Sequence, residues 1–411
     1  MISSRTVLEI AITVWIFVVL IYLAHTSISH RTHDFSGQWE YSKIIAKEHR
    51  FPLPYEGGQT YNPPLYYLIN SFIASRSLIS DEADKIVHVH YVRFLSAIYG
   101  VVAILIIYLF LKRIDISPLS RLLVLLFTAT TPKFVFLFSS YNNDSLAVMF
   151  SLIILFLAYK LCENWSWRNA VFLFIASTAG LYTKYTIMFC IISVAVFCLK
   201  NLLKWQLPQK EHLRILGILL LSIVLFFPWM WFHNHGKSNK IFNPAEAVKT
   251  LSTVVKIPVL QYSRHEWDEP WVHPTKNRDY FSFAFVTSII GEYKFKKPHV
   301  FFTWLILWIH LVVYFLAFYE ISASKITRQA GVLILLSLLI HLFNAACFKT
   351  HVLGSNMDYR YIAWDWLPWS VLYASAMLSS SGNRWRFWGF KPLLIIGVVL
   401  HIYLLVTVKG G

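Results

Sequence analysis

Charged residues are scarce in this sequence. Only 14% of its 411 residues are charged, whereas 57% are hydrophobic and 17% are aromatic. A soluble globular domain carries about 25% charged residues, so this chain has too few to cover a water-facing surface. Apolar runs near or above the ~18 residues that span a bilayer recur along its whole length. The composition excludes an ordinary soluble domain and predicts an all-α polytopic membrane protein.

Cysteine is also rare. The four cysteines all lie in or beside apolar runs, at Cys162, Cys190, Cys198 and Cys347. We therefore expect no structural disulfide in the polar segments. The short loops expected on the cytoplasmic side also lack a glycine-rich strand-to-helix motif that would bind a nucleotide. This absence argues against an ATPase and against a soluble type of nucleotide-sugar enzyme.

Acidic residues are outnumbered by basic ones, and the formal net charge is +16. In a soluble protein such a charge would suggest nucleic acid as a partner. Here the basic residues are scattered over the loops between apolar runs. This distribution favours membrane lipids and phosphate-bearing substrates as partners and argues against nucleic acid.

The apolar runs predict about eleven transmembrane helices. Their approximate positions are 7–24, 90–111, 119–138, 145–162, 168–183, 186–203, 213–232, 299–319, 329–348, 364–380 and 391–408. The N-terminal run lacks a small-residue cleavage site, so we expect it to be a retained first span. No internal repeat is visible, and residues 1–411 are expected to form a single transmembrane domain.

Basic residues in the short connections predict the orientation. They fall on one side of the membrane if the N-terminus is cytoplasmic. The long loops 25–89 and 233–298 then lie on the opposite face, together with the short loop 349–363. Sparse cysteines and compact loops favour a bacterial inner membrane with these loops in the periplasm. In a eukaryote they would face the lumen.

The first outer loop contains the first candidate residues. Asp34 follows the first span closely, and the segment YNPPLYYL (61–68) supplies Tyr61, Asn62 and a double proline. Aspartate is a preferred N-cap, so Asp34 either caps the next helix or acts as a general base near a lipid phosphate. The aromatic and proline residues either anchor an interfacial helix or fix the loop beside a site.

Three further outer clusters and one basic residue complete the candidate set. SSYNNDSLAVMF contains Asp144, for which helix capping is the alternative interpretation. Lys184 in LYTKYT is costly at membrane depth unless it is paired or faces a polar cavity. The remaining candidates come from the GEYKF and MDYRYIAWDW segments: Glu292, Asp358, Arg360 and Tyr361. Each signal is weak alone, but the clusters of acids, bases and tyrosines all map to one membrane face.

The order of these motifs resembles a known family. PPLYYL, NND, TKYT, PWMWFHNHG, GEYKF and YRYIAW follow the first-loop aspartate in that order. The pattern resembles the GT-C glycosyltransferases that use polyprenyl-phosphate sugars, and is similar to protein O-mannosyltransferases and lipid A aminoarabinose transferases. The resemblance implies a GT-C-like helical bundle with a long first extracytoplasmic loop. It also implies transfer of a hexosyl or pentosyl group from a lipid-phosphate donor to a lipid, glycan or protein hydroxyl.

The resemblance also implies roles for individual residues. Asp34 would be the catalytic base, Asp144 its supporting acid, and Arg360 a ligand of the donor phosphate. Since the polyprenyl phosphate is already a leaving group, direct attack by the acceptor predicts inversion and one essential carboxylate.

Two positions depart from the family pattern. Gln38 stands where many relatives have histidine, and Asn62 stands where the aminoarabinose transferases have lysine. The first difference weakens a metal site, so no cofactor is firmly expected, although a divalent cation stays open. The second leaves the phosphate contact to Lys184 or Arg360.

Two other functions compete with this interpretation. An O-antigen-type polymerase or ligase also has many spans and a large outer loop, but the acid in the first outer loop argues against it. A transporter or flippase would need polar residues in mid-span and broken helices. The mid-span candidates are His310, His341 and His401, and a lone histidine in an apolar run is more often a packing residue.

Overall fold

The structure is a computed structural model. It describes residues 3–27, 34–53, 56–74, 82–203, 209–234, 280–290, 297–319, 324–347, 359–379 and 384–407. Within these ranges the regular secondary structure is entirely helical, which confirms the predicted fold class.

The described chain divides into two compact units. Unit 1 comprises residues 1–27, 107–136 and 242–411, and unit 2 comprises residues 28–106 and 137–241. The helices in chain order are α1 (Ser4–His25), α2 (Phe35–Glu48), α3 (Leu65–Ala74), α4 (Glu82–Leu111), α5 (Pro118–Thr130), α6 (Pro132–Phe138), α7 (Asn143–Glu163), α8 (Trp167–Leu181), α9 (Ile187–Leu203), α10 (Gln209–Asn234), α11 (Tyr280–Ile289), α12 (Lys297–Tyr319), α13 (Lys325–Cys347), a 3-10 helix (Tyr359–Asp365), α14 (Trp366–Ser379) and α15 (Arg384–Thr407).

A helix lies at each of the eleven positions where the sequence predicts a span. In the described residues, six helices are long and apolar enough to cross a membrane, or seven if a bent pair counts as one span. The protein is therefore an integral membrane protein, as predicted, but the number of eleven spans is not confirmed. The shortfall arises because several apolar helices, such as α8 and α14, are shorter than a bilayer requires.

The predicted span 119–138 is a broken element. Its two parts, α5 and α6, are bent by 63° at Thr131. Proline has no N–H for the helical ladder and disfavours the helical conformation in the residue before it. Thr131, which precedes Pro132, accordingly has a ψ of 127°. Its hydroxyl donates to the Phe127 carbonyl at 2.8 Å, which satisfies one of the acceptors that the break exposes.

Polar residues fix the starts of the long helices. Ser3 caps α1, where its Oγ accepts from the Thr6 N–H at 3.0 Å. Ser117 caps α5, and Pro118 occupies the first helical position, where no N–H is needed. The caps follow directly from the residue types that precede each apolar run.

The mid-span histidines of unit 1 do not stand alone. His310 on α12 and His401 on α15 are hydrogen-bonded through their Nε2 atoms at 2.9 Å, and both are buried. His401 Nδ1 also lies 3.2 Å from Thr130 Oγ1, and the Phe127 ring stacks on His310. The pair thus joins α12 and α15 to α5 by polar contacts, which supports a packing role for both histidines.

Gly397 on α15 allows this packing. A Cβ at position 397 would lie 2.5 Å from Phe127 Cε2, whose ring is held against His310. We predict that Gly397→Ala lowers the free energy of unfolding by about 1–3 kcal/mol, because the added methyl overpacks this contact. Thermal unfolding in detergent measures the effect.

Gly217 on α10 provides the control for that variant. A Cβ there would meet nothing within 4 Å. Gly217→Ala should raise the unfolding temperature or leave it unchanged, since alanine is the better helix former by about 1 kcal/mol. Equal unfolding temperatures for the two alanine variants would contradict the packing argument.

Candidate active site

Asp34 occupies the N-cap position of α2 but does not cap it. Its side chain makes no capping hydrogen bond and is exposed. Its backbone is in the left-handed region, with φ 56° and ψ 27°, which aspartate tolerates better than most residues. The N-cap prediction is thus right about position and wrong about the bond. A left-handed residue outside glycine is a feature that often accompanies a functional site.

Gln38 ties this helix to the start of α7. The Gln38 N–H donates to the Asp34 carbonyl at 3.0 Å, so the two residues share the first turn of α2. The Gln38 Oε1 accepts from the backbone N–H of Asn143 at 3.0 Å. The buried amide therefore fixes the helix that follows Asp34 against the helix that begins just before Asp144.

Asp144 forms an ion pair with Lys184. Asp144 Oδ1 lies 2.5 Å from Lys184 Nζ, and the two side chains are only 2% and 12% exposed. The cap of α7 is Asn142, whose Oδ1 accepts from the Ser145 N–H at 3.0 Å, so capping does not explain Asp144. Asp144 thus supplies the partner that a buried lysine requires. The pairing also brings together two candidate residues that are forty positions apart in sequence.

The turn that contains Lys184 also holds the start of the proline segment. The Tyr185 hydroxyl donates to the Tyr61 carbonyl at 3.0 Å, and the Leu65 N–H donates to the Tyr182 carbonyl at 2.8 Å. These bonds place YNPPLYYL beside the ion pair. The Tyr61 side chain itself is 40% exposed, so it remains accessible to a ligand.

The Asn62 side chain is engaged within the loop. It is 3% exposed, and its Nδ2 donates to Gln59 Oε1 at 2.6 Å. The Asn62 carbonyl accepts from the hydroxyl of Tyr41 on α2 at 3.2 Å. Asn62 thus links the segment to α2 through its backbone, and its amide supports the loop conformation.

Two stacked tyrosines complete the contact between α2 and α3. The rings of Tyr41 and Tyr67 are parallel to within 5°, with centroids 3.8 Å apart, and Asn143 Nδ2 donates to the Tyr67 hydroxyl at 3.3 Å. Burial raises the pKa of both phenols above the ordinary value of a tyrosine. Both therefore stay protonated at neutral pH and serve as neutral hydrogen-bonding groups, which leaves proton abstraction to a carboxylate.

Two further candidates belong to unit 1. Arg360 and Tyr361 lie in the short 3-10 helix, where Arg360 is 6% exposed. The Arg360 guanidinium lies over the Tyr361 ring at 5.1 Å and donates to its hydroxyl at 3.2 Å. Glu292 and Asp358 lie outside the described residues.

No group of three or more His, Cys, Asp or Glu side chains in the described part of the chain is placed to hold a metal ion. At the position where the family resemblance implies histidine, the side-chain Oε1 of Gln38 accepts from the Asn143 N–H. The divalent cation that the sequence left open stays a prediction, and we assign no step to a metal.

Comparisons with known proteins bear on both the sequence and the fold. Residues 85–232 match the family model of the dolichyl-phosphate-mannose-protein mannosyltransferases. The archaeal oligosaccharyltransferase AglB from Archaeoglobus fulgidus, in complex with an inhibitory peptide and a dolichol-phosphate, superposes with a TM-score of 0.52 at 12% identity, over 98% of this chain and 56% of that chain. The apo form of the Archaeoglobus fulgidus oligosaccharyltransferase gives a TM-score of 0.53 at 14% identity, with the same coverages.

This chain shares the fold of these oligosaccharyltransferases, which is of the GT-C type. The resemblance that the motifs indicated is thereby confirmed. The chain spans about half the length of these oligosaccharyltransferase structures, 56% in both cases. A sequence search among proteins of curated function finds no match.

Several residues of the candidate site were not identified from the sequence. Tyr141 and Ser42 are buried and hydrogen-bonded to each other, and His233 Nε2 lies 2.7 Å from the Thr60 carbonyl. Tyr141 is adjacent to the NND motif, and His233 lies within PWMWFHNHG. For Tyr141 and His233 the quoted segments were the available signal, whereas no quoted motif contains Ser42, and the bonding partners are remote in sequence.

The Asp144–Lys184 pair gives a stability prediction. Asp144→Asn or Lys184→Met should each lower the free energy of unfolding by about 3–5 kcal/mol, because either change leaves a buried charge unpaired. The double variant should lose less than the sum of the two single losses. Thermal unfolding of all four proteins in detergent gives the coupling energy.

The Arg5–Glu9 pair on α1 is the control for this cycle. Its charged atoms are also close, at 2.7 Å, but its side chains are 89% and 56% exposed. Exposed pairs contribute little. Arg5→Met should leave the unfolding temperature almost unchanged, and additive losses at Asp144 and Lys184 would show that the ion pair does not couple them.

Proposed function

We propose that this protein transfers a sugar from a polyprenyl-phosphate donor to an acceptor hydroxyl on a lipid, glycan or protein at the extracytoplasmic face, with inversion. The observation that carries the proposal is the placement of Asp34. It is an exposed acid with a left-handed backbone and no capping bond, at the start of a helix that is hydrogen-bonded to α7, which carries Asp144 of the Asp144–Lys184 pair. The GT-C type fold and the mannosyltransferase family match over residues 85–232 support the same reaction class.

The reaction needs one base and one anion-binding group. In the proposed step, the Asp34 carboxylate accepts the proton of the acceptor hydroxyl while the hydroxyl oxygen attacks the anomeric carbon. The bond between that carbon and the phosphate oxygen breaks, and polyprenyl phosphate leaves with the electron pair. A single displacement inverts the anomeric carbon.

Cationic groups stabilise the departing phosphate. We assign this role to Arg360, whose planar guanidinium suits two phosphate oxygens. Tyr361 orients the guanidinium, which it contacts by ring and hydroxyl. Lys184 has a secondary role, because its ammonium is oriented by Asp144. Substrate contacts by Tyr61, Asn62, Glu292 and Asp358 remain predictions.

The named relatives favour a donor class. The family model that matches is that of the dolichyl-phosphate-mannose-protein mannosyltransferases, and the structure of AglB contains a dolichol-phosphate. We therefore propose a hexose on a polyprenyl monophosphate as the first donor to test. Purified protein in lipid nanodiscs is supplied with radiolabelled dolichyl-phosphate mannose, dolichyl-phosphate glucose or their undecaprenyl counterparts. Membranes from cells that lack the gene provide the acceptors, and absence of transfer from every donor would contradict the proposal.

The base assignment predicts a selective loss. Asp34→Asn should lower the transfer rate by about 100- to 10,000-fold, because asparagine cannot accept the proton. Asparagine has the shape of aspartate and also tolerates the left-handed backbone, so unfolding temperature and donor binding should be almost unchanged.

Asp115→Asn is the matched control for this change. Asp115 is an exposed aspartate in the connection between α4 and α5. Its replacement should leave transfer at the wild-type rate. Asp34 would lose the role of base if Asp34→Asn folded, bound donor and transferred sugar like Asp115→Asn.

The phosphate assignment predicts weaker donor binding. Arg360→Ala should raise the donor Kd about tenfold or more, and Arg360→Lys should recover little, because lysine lacks the two-pronged donor geometry. Binding of labelled dolichyl-phosphate mannose to purified protein measures this. Arg328→Ala, at an exposed arginine on α13, is the control. Wild-type affinity in both Arg360 variants would exclude Arg360 as the phosphate ligand.

A further inference from the structure

Tyr141 lies buried at the junction of three helices in unit 2. It is fully buried and stands in the segment SSYNND, three residues before Asp144. Its ring makes edge contacts with Phe35 on α2 at 5.6 Å, Tyr66 on α3 at 6.1 Å and His88 on α4 at 5.9 Å. The ring contacts would be available to phenylalanine as well, so the hydroxyl requires its own explanation.

The hydroxyl belongs to a chain of hydrogen bonds with a defined direction. The Ser42 hydroxyl donates to the Gln38 carbonyl at 3.3 Å, so the Ser42 Oγ accepts the proton of Tyr141 at 2.9 Å. The Tyr141 oxygen then accepts from His88, whose Nε2 lies 3.5 Å away. The sequence of donors is therefore His88, Tyr141, Ser42, with the Gln38 carbonyl as the final acceptor.

The histidine tautomer agrees with this direction. His88 Nδ1 is buried and has no hydrogen-bond partner in the described part of the chain. A proton on Nδ1 would be a buried donor without an acceptor, whereas a proton on Nε2 has the Tyr141 oxygen. Neutral His88 with its proton on Nε2 is the form that satisfies the contacts. The Trp39 ring packs against the imidazole at 5.1 Å.

The segment that carries Tyr141 is anchored on α4. Arg93 Nε donates to the Ser139 carbonyl at 2.9 Å, and Ser96 Oγ donates to the Ser140 carbonyl at 3.0 Å. Both side chains are buried. The position of Tyr141 is thus set by α4 independently of α2, so its hydroxyl can act as a fixed point for α2.

Two bonds on either side of Asn142 hold α2 in register. Tyr141 bonds to Ser42, and the Asn143 N–H bonds to the Gln38 side chain. Gln38 is one helical turn after Asp34, and Asp144 directly follows Asn143. A shift of α2 along its axis would break both bonds, so the pair sets where Asp34 stands with respect to the start of α7.

We propose that Tyr141 is a positioning residue for Asp34, acting through Ser42 and the first turn of α2. This inference rests on the proposed role of Asp34 as the base. Tyr141 itself does not touch the substrate. Displacing a base by about 1 Å can lower the rate about 100-fold. Loss of the Tyr141 hydroxyl is therefore expected to lower the transfer rate.

The test uses Tyr141→Phe, which keeps the ring and removes the hydroxyl. Transfer from labelled dolichyl-phosphate mannose should show a kcat that falls about tenfold or more, with the donor Kd within twofold of wild type. Ser42→Ala, which removes the next link, should lower kcat to a similar extent. The double variant should be no slower than the slower single variant, because the two groups act in series.

Tyr108→Phe is the matched control. Tyr108 is also buried and donates one hydrogen bond, to the Ser4 carbonyl at 2.5 Å, but it lies in unit 1. The Tyr108→Phe variant should lower the unfolding temperature about as much as Tyr141→Phe does, but it should not lower kcat. Equal kcat values for Tyr141→Phe and Tyr108→Phe would reduce Tyr141 to a packing residue, and Ser42→Ala decides the question if Tyr141→Phe does not fold.

A measurement without turnover separates this inference from the proposed function. Hydrogen–deuterium exchange of peptides covering 35–48 should accelerate in Tyr141→Phe and Ser42→Ala but not in Tyr108→Phe. If Asp34→Asn is inactive while Tyr141→Phe has wild-type kcat and exchange, only the positioning role fails. If Asp34→Asn transfers normally, the base assignment fails, and with it the catalytic role of Tyr141.

Discussion

The buried ion pair between Asp144 and Lys184 is the interaction on which the arrangement of unit 2 depends. In a chain with so few charges, each buried charge must have its partner within bonding distance, since an unpaired one costs several kcal/mol. The two residues lie 2.5 Å apart, at the first turn of α7 and in the turn between α8 and α9. This constraint fixes those two elements relative to each other.

The ordering of the first outer loop follows from that constraint. The turn that supplies Lys184 also bonds Tyr61 and Leu65, and the α7 start that supplies Asp144 receives the Gln38 side chain. Each of these hydrogen bonds involves a backbone carbonyl or N–H group. They therefore hold the loop in place independently of the apolar contacts that its side chains make. α2 and the proline segment therefore lie where they do because α7 and the α8–α9 turn are already fixed.

The sequence predicted the elements of this structure better than their partners. Continuous apolar runs predicted the helix positions, because apolar length is a local property. The same continuity hid the break at Thr131, although Pro132 was visible. Lys184 was correctly expected to need a partner, but nothing local distinguishes Asp144 from the other acids of the outer loops. Pairing between residues forty positions apart is decided by packing.

The two helix caps also show that the sequence predicts the position of a residue better than its bonding partner. Capping was the simplest interpretation for both Asp34 and Asp144, and it holds for neither side chain. In the NND segment the residue that caps α7 is Asn142, two positions before the candidate acid Asp144. The hydrogen-bond chain through Tyr141 could not be foreseen, because its members come from α2, α4 and the segment before α7.

Asp34 and Asp144 lie in different environments, which suit them to different roles in the proposed reaction. Asp144 is 2% exposed and its carboxylate is bound to an ammonium, so it cannot meet an acceptor hydroxyl and its charge is already balanced. Asp34 is exposed and occupies the N-cap position of α2, where its side chain makes no capping hydrogen bond. A general base must reach its proton donor while its own position is held by other groups. Of the acids in the described residues of this loop and of the α7 start, Asp34 combines access to solvent with a backbone fixed through Gln38 and Ser42. The buried pair fixes the elements around the site, and Asp34 is the acid that stays exposed to solvent beside them.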